Sequence, residues 1–357
     1  MAELTRLTLE EVDALAYGVL RANGLSEDHA RAIADTVTAA ERDESKSHGL
    51  FRIPGYVSSV RSGKVMPAAV PEVRTLAPAV LQVDGHHGFA PLALRVGREP
   101  LAAKAREFGI AAMGITNIYH FAALWPEVTA LADMGLVAFA CTATSSFVAP
   151  YGGIKPLYGT NPMAFAWPRE GRPPLVFDQS SSASARGEIQ MHQRDGKPIP
   201  EGWAMDAEGN PTTDPTAALE GAQLTFGGHK GAAIALMIEL LAGALIGDVF
   251  SFEASAIDNQ DGGPAIGGEF MMAIDPARCI GHGNRQAQLA HAETLFAKIL
   301  EQEGTRLPAD RRYRARLRTL SAGITIPQAL YDELKHLQAS GITPFASPHV
   351  VSGLEEV

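Results

Sequence analysis

The sequence lacks several features that would place it in a common class of protein. Its 357 residues include only two cysteines, Cys141 and Cys279, which excludes a disulfide framework and is typical of a reducing compartment. Lys and Arg number 30 against 40 Asp and Glu, so the formal net charge is −10, which argues against a general nucleic-acid binder. The acidic N-terminus has no apolar run before a cleavage site and predicts neither a signal nor a transit peptide.

Familiar catalytic and nucleotide-binding motifs are also absent. The sequence has neither the G-x-G-x-x-G fingerprint of a Rossmann domain nor a Walker-type loop, so any nucleotide must be bound by another arrangement. It has no HExxH, paired CxxC or D-x-D-x-D-G motif, and we therefore expect no dedicated metal site. The absence of a G-x-S-x-G elbow argues against an α/β-hydrolase.

One long hydrophobic run, GAAIALMIELLAGALIG, occupies residues 231–247. Its length reaches the lower limit for a membrane span. Because Glu239 lies at its centre and Ala and Gly make it only moderately hydrophobic, a helix buried in a core or a subunit interface is favoured. We expect a cytoplasmic protein that binds no membrane.

Hydrophobic periodicity predicts helices at both ends of the chain and strands between them. A capping box at Thr8 and Glu11 begins the first helix. Five strand-like runs lie between residues 79 and 180, and a sixth covers 269–275. Further helices are predicted at 90–107, 121–134, 231–246, 284–302, 309–320 and 327–338.

This order of elements favours a mixed α/β, non-Rossmann fold. We predict a central, predominantly antiparallel or mixed sheet with flanking helices, plus a helical layer that both termini build. The helical domain comprises residues 1–75 and 300–345, and the mixed-sheet region comprises 76–299. The strands cluster without the regular crossovers of a doubly wound sheet.

Several polar clusters in glycine-rich surroundings are candidates for chemistry. Ser47-His48-Gly49 with Arg52 joins a side chain that titrates near neutral pH to a planar guanidinium that suits a carboxylate. The alternative for this cluster is a solvated helix end. Segment 117–126 predicts a turn into a helix N-terminus, which is either a pyrophosphate site or an ordinary turn with a buried histidine. The remaining clusters, each also compatible with a plain turn, are 149–162, 177–188, 227–231 and 306–312.

Taken together, these segments resemble the malate/L-lactate dehydrogenase family, a group of NAD(P)-dependent oxidoreductases without a Rossmann fold. The matching pieces follow the family's order from about residue 41 to residue 323. They are SHGLFRIPGYVSSVRSGKV, NIYHFAALWPEV, APYGGIKPLYGTNPMAFAWP, FDQSSSASARGEIQ, FGGHKGAAIALMIELLAGALIGD and RLPADRR. HFAALWPEV, FGGHKG and RLPADRR are most similar to the Δ1-piperideine-2-carboxylate/Δ1-pyrroline-2-carboxylate reductases of that family.

The acid that follows Gly187 adds to this resemblance. Hydroxy-acid members of the family have Lys at this position and the imine reductase has Asp, whereas this sequence has Glu188, one methylene longer than Asp. A ketone that accepts hydride develops an alkoxide and requires a cationic donor. A cyclic imine is reduced as its iminium cation, which a nearby carboxylate stabilises.

The resemblance implies an imine reductase that uses NADPH, with NADH as the alternative, and works as a homodimer. Its substrate is a cyclic imine carboxylate and its product is L-proline or L-pipecolate. The implied catalytic residues are His48 as proton donor, with Ser47 and Glu188 tuning it. The implied substrate-binding residues are Arg52, Thr160, Arg186 and Gly187. The mixed-sheet region 76–299 is expected to bind the cofactor and to form the dimer contacts. The implied cofactor-binding residues are His120, Phe121, Ala122, Ala123, Leu124, Asp178, Gln179, Ser180, His229, Lys230, Arg306, Leu307, Pro308, Ala309, Asp310, Arg311 and Arg312.

Three alternatives remain open at this point. The first is a 2-hydroxy-acid dehydrogenase of the malate, lactate or ureidoglycolate type, which the acid at position 188 disfavours. A Ser/His/Glu hydrolase is disfavoured because Ser47 and His48 are adjacent and need not hydrogen-bond to each other. A non-catalytic binding protein is the third. Because both implied ligands are anionic, the reductase requires the basic positions Arg52, Arg186, Lys230 and 306–312 to converge on one cleft.

Overall fold

The computed structural model describes residues 3–279 and 284–342, so residues 343–345 of the predicted helical domain lie outside the described ranges. Within these ranges the strands are β1 (Leu4–Leu7), β2 (Glu72–Ala77), β3 (Val80–Phe89), β4 (Ile110–Tyr119), β5 (Val137–Thr142), β6 (Met163–Trp167), β7 (Leu175–Gln179), β8 (Ala204–Met205), β9 (Pro211–Thr212), β10 (Ala222–Gln223), β11 (Ile266–Ile274) and β12 (Ile324–Pro327).

The α-helices of the same ranges are α1 (Leu9–Ala22), α2 (Glu27–Arg42), α3 (Ile53–Arg61), α4 (Ala90–Phe108), α5 (Trp125–Asp133), α6 (Arg186–Arg194), α7 (Pro215–Glu220), α8 (His229–Glu239), α9 (Ser251–Ile257), α10 (Arg285–Leu300), α11 (Asp310–Ala322) and α12 (Gln328–Ala339). Three 3₁₀ turns cover Lys46–His48, Leu50–Arg52 and Pro276–Arg278, and a π-helical turn covers Leu240–Ala244.

The described chain is organised around a seven-stranded sheet of order β2-β3-β4-β11-β5-β6-β7. Strands β3 and β4 run parallel and the other described neighbours in this sheet run antiparallel. The predicted mixed, non-Rossmann α/β fold is therefore confirmed. The central strands read as nearly continuous apolar runs because both of their faces are covered, and the core against this sheet includes Met113, Ile115, Ile118, Leu101 and Leu131, all fully buried.

A second hydrophobic core joins the two ends of the chain. Helices α1, α2, α3 and α12 pack together, and β1 pairs antiparallel with β12. The capping box at Thr8 and Glu11 is present as predicted, with Thr8 Oγ1 accepting the Glu11 N–H and the Glu11 carboxylate accepting the Thr8 N–H. The residue boundaries of the predicted helical domain stay a prediction.

The long hydrophobic run forms α8 and then the π-helical turn 240–244. No helix in the described part of the chain is both long enough and apolar enough to cross a membrane. The run nevertheless leaves one apolar face exposed, because Leu236, Met237, Leu240 and Leu245 keep 40–63% of their surface accessible. The covered face of the run packs against β5 and β11.

Candidate active site

Two consecutive 3₁₀ turns between α2 and α3 bring Ser47, His48 and Arg52 together. Ser47 Oγ lies 3.1 Å from His48 Nδ1, so these neighbours do form the contact that their adjacency did not require. Arg52 Nε donates to the Ser47 carbonyl oxygen at 2.6 Å. The Arg52 guanidinium lies over the Phe121 ring, 4.7 Å from its centroid, which fixes the plane of the guanidinium.

Arg52 is a largely buried cation. Among the described residues, no carboxylate lies within salt-bridge distance of its guanidinium. Burial lowers the pKa of its guanidinium, although Arg remains charged at neutral pH. A Cβ atom added to Gly187 would lie 3.9 Å from Arg52 Nη2, so the first turn of α6 faces the guanidinium. A buried charge without a partner favours an anionic ligand, and a guanidinium matches a carboxylate in geometry.

His48 is neutral at neutral pH. Burial, together with the positive charges of Arg52 and Arg312, lowers its pKa to about 3. Ser47 contacts Nδ1 of the ring, and the backbone of Phe121 lies near the imidazole. A neutral imidazole in contact with a hydroxyl can pass a proton on, but it does not store one.

The turn between β4 and α5 carries the predicted cofactor residues 120–124. At its end the backbone N–H groups of Leu124 and Trp125 donate to Asp178 Oδ2 at 3.1 and 3.0 Å. A carboxylate of the protein therefore occupies the helix N-terminus where the sequence suggested a pyrophosphate, since these amides attract any anion. Burial raises the pKa of Asp178 to about 6.

One group of described side chains has the spacing of metal ligands, although the sequence predicted no metal site. His120 Nε2 lies 3.2 Å from Glu127 Oε1 and 3.1 Å from Glu269 Oε2, all of them buried. The Ala122 N–H donates to His120 Nδ1 at 3.1 Å, so the ring hydrogen lies on Nε2, the nitrogen nearest the two carboxylates. A metal would need that nitrogen free of hydrogen, and the arrangement therefore favours a shared proton. Burial and the neighbouring Glu269 raise the pKa of Glu127, which agrees with a protonated carboxyl.

A cleft of about 590 Å³ lies beside β7 and the start of α11. Its walls include most of the predicted segment 306–312, together with Phe177 and Asp178. The acids Asp43 and Glu44 line it as well, but Asp43 pairs with Arg42 and Arg316, and Glu44 pairs with Arg318. The carboxylate of Asp310 accepts the backbone N–H of Leu307 at 3.0 Å, and Asp310 does not line the cleft.

The predicted basic positions converge only in part. The positive charges of Arg52 and Arg312 both lie close enough to His48 to lower its pKa. The Arg312 guanidinium lies 4.6 Å from the centroid of the Trp125 ring, which also contacts the His48 ring. Arg186 instead lies 3.8 Å from the centroid of the Phe147 ring, and burial lowers its pKa to about 10. Lys230 is exposed, and no described contact connects it to the cleft.

The remaining predicted residues lie on the elements around this centre. Glu188 is exposed on the first turn of α6 and forms no hydrogen bond or ion pair with a described side chain. His229 is exposed at the start of α8, with its ring 5.8 Å from that of Tyr151. Gln179 is exposed, and Ser180 Oγ donates to the Ser182 carbonyl at 3.2 Å.

Thr160 is half-buried and held by its neighbours. Its N–H donates to Thr144 Oγ1 at 3.1 Å, and its carbonyl accepts the Ser181 N–H at 2.8 Å. Neither Thr144 nor Glu127 was singled out from the sequence, because they are polar positions within a predicted strand and a predicted helix. The alternation of buried and exposed positions carries no signal for such pairs.

Known proteins resemble this chain over nearly its whole length. The family described as malate/L-lactate dehydrogenase matches residues 7–335. A Delta(1)-pyrroline-2-carboxylate reductase of Pseudomonas fluorescens is 53% identical over 337 residues, covering 94% of this chain and 100% of that protein. A Delta(1)-pyrroline-2-carboxylate/Delta(1)-piperideine-2-carboxylate reductase of Pseudomonas aeruginosa is 53% identical over 331 residues, 93% of this chain and 98% of that protein.

A solved structure shows the same similarity over nearly the whole chain. The crystal structure of delta1-piperideine-2-carboxylate reductase from Pseudomonas syringae pvar. tomato has a TM-score of 0.87 and 41% identity, covering 93% of this chain and 99% of that chain. The family resemblance drawn from the sequence motifs is confirmed. The chain belongs to the malate/L-lactate dehydrogenase family.

Proposed function

We propose that the protein reduces the C=N bond of Δ1-pyrroline-2-carboxylate, Δ1-piperideine-2-carboxylate or both, giving L-proline or L-pipecolate. The observation that carries this proposal is the buried Arg52 guanidinium, which has no carboxylate partner among the described residues and lies beside the Ser47–His48 pair. Such a cation selects a substrate that carries a carboxylate next to the reacting carbon. The names of the relatives at 53% identity support a cyclic imine as that substrate.

We propose NADPH as the cofactor, and when bound it supplies the hydride. The cleft beside β7 suits an anionic nucleotide, because Asp43 and Glu44 are paired with arginines and Asp178 accepts two backbone N–H groups. Arg306 and Arg311, by contrast, have no carboxylate partner within the described ranges. Two exposed guanidinium groups on one short segment are typical donors for the 2′-phosphate that distinguishes NADPH from NADH. The predicted residues 120–124, 178–180, 229 and 230 remain part of this proposal.

The protein's own residues bind the substrate and control its proton. Arg52 binds the substrate carboxylate, and the Thr160 hydroxyl donates a further hydrogen bond to it. The nitrogen of a neutral imine receives its proton from His48, which takes one from the Ser47 hydroxyl across the 3.1 Å contact between them. Ser47 is half-buried, and water returns the proton to its oxygen. Glu188 stabilises the positive charge of the iminium from the α6 side of the pocket, next to Gly187.

We propose that the active form is a homodimer. The apolar face formed by Leu236, Met237, Leu240 and Leu245 is exposed in the single chain, and a contiguous apolar face of this kind marks an interaction surface. A second copy of the chain covers it in this proposal. Analytical ultracentrifugation of the wild-type protein and of Leu240→Lys checks this, and a monomeric wild type contradicts it.

We also propose a cytoplasmic location. Both Cys141 and Cys279 are free thiols, and Cys141 is buried in the core. Free thiols persist in a reducing compartment. Fractionation of the producing cell tests this location.

The reaction is tested by following NADPH and NADH absorbance separately with the two cyclic imines and with pyruvate and oxaloacetate. We expect oxidation of NADPH with at least one imine and little with either keto acid. Oxidation with the keto acids alone would assign the protein to the 2-hydroxy-acid dehydrogenases. No oxidation with any of the four compounds would contradict a dehydrogenase.

A further inference from the structure

Glu239 is a buried carboxylate inside the long apolar run. It is the last residue of α8, 5% of its surface is exposed, and the π-helical turn begins directly after it. A carboxylate in apolar surroundings is strongly destabilising unless buried donors satisfy it. π-helical turns of this kind often accompany functional sites. The groups that satisfy Glu239 therefore indicate its role.

The Glu239 carboxylate binds two polar residues that are themselves fully buried. Oε1 accepts the Asn161 side-chain N–H at 2.7 Å and also the Ser251 hydroxyl. Oε2 accepts the Ser251 backbone N–H at 2.9 Å. Asn161 and Ser251 are both 0% exposed, so water cannot replace any of these partners.

Asn161 connects Glu239 to the predicted substrate residue Thr160. Its φ of 38° lies in the left-handed region, which Asn tolerates when its side chain is held. Asn161 Oδ1 also accepts the Thr144 N–H at 3.4 Å, and the Thr144 and Thr160 hydroxyls lie 3.4 Å apart. Glu239 thus fixes the backbone at Asn161, and with it the direction of the adjacent Thr160 hydroxyl.

The same turn holds the segment that leads to α6. The Thr160 carbonyl accepts both the N–H and the hydroxyl of Ser181, at 2.8 and 3.0 Å. Ser181 precedes Arg186 and Gly187 by a few residues, and Gly187 faces Arg52. A displaced turn at 160–161 would therefore move two walls of the substrate pocket.

We propose that Glu239 is a positioning residue for the substrate: it locks the Thr160–Asn161 turn so that Thr160 and the start of α6 meet the substrate carboxylate. This inference rests on the proposed function, because it takes Thr160 to bind that carboxylate. Glu239 itself touches no substrate. It acts through Asn161.

The hydrogen-bond pattern allows a sharp test. In Glu239→Gln an NH2 group replaces one carboxylate oxygen. This NH2 group must face either the side-chain NH2 of Asn161 or the backbone N–H of Ser251, so two hydrogen-bond donors oppose each other. Turning the Asn161 amide over only moves the conflict to the Thr144 N–H. In Asn161→Asp/Glu239→Gln the new amide donates to the new carboxylate, while its oxygen accepts the Ser251 N–H. The double variant therefore restores the hydrogen bond between positions 161 and 239 and the total charge, but it loses the donation from the Asn161 side chain to the Ala235 carbonyl, 3.2 Å away.

We would measure KM and kcat for the cyclic imine, NADPH affinity by fluorescence titration, and the urea midpoint of unfolding. Glu239→Gln should raise the KM for the imine at least about ten-fold, because it leaves a buried donor without a partner. NADPH affinity should change by less than about two-fold, and the double variant should have a KM at least about three-fold below that of Glu239→Gln. Glu253→Gln is the matched control, because Glu253 accepts only the Phe250 N–H of the same region and should leave KM unchanged.

A lowered urea midpoint with an unchanged KM in Glu239→Gln would show a purely structural residue and overturn the proposal. If Glu239→Gln does not fold, Asn161→Asp decides, because it breaks the same hydrogen bond from the other side: a folded Asn161→Asp with the KM of wild type also overturns the proposal. If the wild-type protein reduces the imine, these results overturn only the positioning role of Glu239 and leave the proposed function intact. Wild-type protein that reduces no imine overturns both.

Discussion

His48 should make the protein lose stability in mild acid. Its pKa is about 3 in the folded protein and 6.5 in an exposed chain. Between these values the unfolded chain binds a proton at His48 and the folded protein does not, so stability rises with pH through this window. The contribution is fully present above pH 6.5 and is lost progressively as pH falls towards 3.

The magnitude follows from the same two pKa values. Each pH unit below 6.5 removes about 1.4 kcal/mol of unfolding free energy until the folded-state pKa is reached. At about pH 4.5, two units below, the His48 contribution amounts to about 3 kcal/mol, a large part of the stability of an ordinary domain. Other groups also titrate in this range, so a variant is needed to isolate His48.

The assay is urea unfolding of wild type and His48→Gln at about pH 7 and about pH 4.5, followed by tryptophan fluorescence. Gln does not titrate, so the variant should lose about 3 kcal/mol less than wild type between the two conditions. His336→Gln, on the exposed face of α12, is the matched control and should lose as much as wild type. Equal losses in wild type and His48→Gln would show that His48 is not held in a desolvated, cationic environment.

Substitutions at five positions test other parts of the site. Arg52→Met should raise the KM for the imine at least ~100-fold and Arg52→Lys less, because the ammonium keeps the charge but loses the planar fork; equal KM values in both would contradict a bidentate contact. Arg311→Ala should weaken NADPH binding by about ten-fold, or about 1.4 kcal/mol, and leave NADH binding nearly unchanged in the same titration. Asp43→Asn should lower the unfolding free energy by about 3 kcal/mol in urea, because it leaves the paired cations Arg42 and Arg316 with no buried carboxylate. His48→Ala and Glu188→Gln should each lower turnover by at least ~100-fold, and near-normal turnover in either would remove that residue from the proton path.

The sequence predicted every strand of the seven-stranded sheet except the edge strand β2. Strands β4, β5 and β11 show continuous apolar runs because both of their faces are buried. Strand β2 is exposed at five of its six positions, and β1 and β12 pair across more than 300 residues, so neither shows a local pattern. Burial leaves a periodic signal in the sequence, while pairing of exposed edges leaves none.

The site could be predicted as a set of residues but not as an arrangement. The Ser47-His48-Arg52 spacing is local, so one stretch of chain places all three side chains together. Asp178 caps the start of α5 from 54 residues further along the chain, and Glu269 reaches His120 from β11. Such partners are set by the order of strands in the sheet, which the residue pattern of a single segment does not contain.

Net charge shows most clearly how the arrangement of a site differs from what its residue content predicts. A chain with a formal charge of −10 should repel a nucleotide and a carboxylate. In the structure, the acids nearest the cleft are neutralised by partners from distant segments, as Asp43 is by Arg316 and Glu44 by Arg318. Arg52 and Arg311 keep their charge without a carboxylate partner within the described ranges. Anionic ligands can therefore meet unpaired cations in a chain of negative net charge, because composition counts charges without recording their partners.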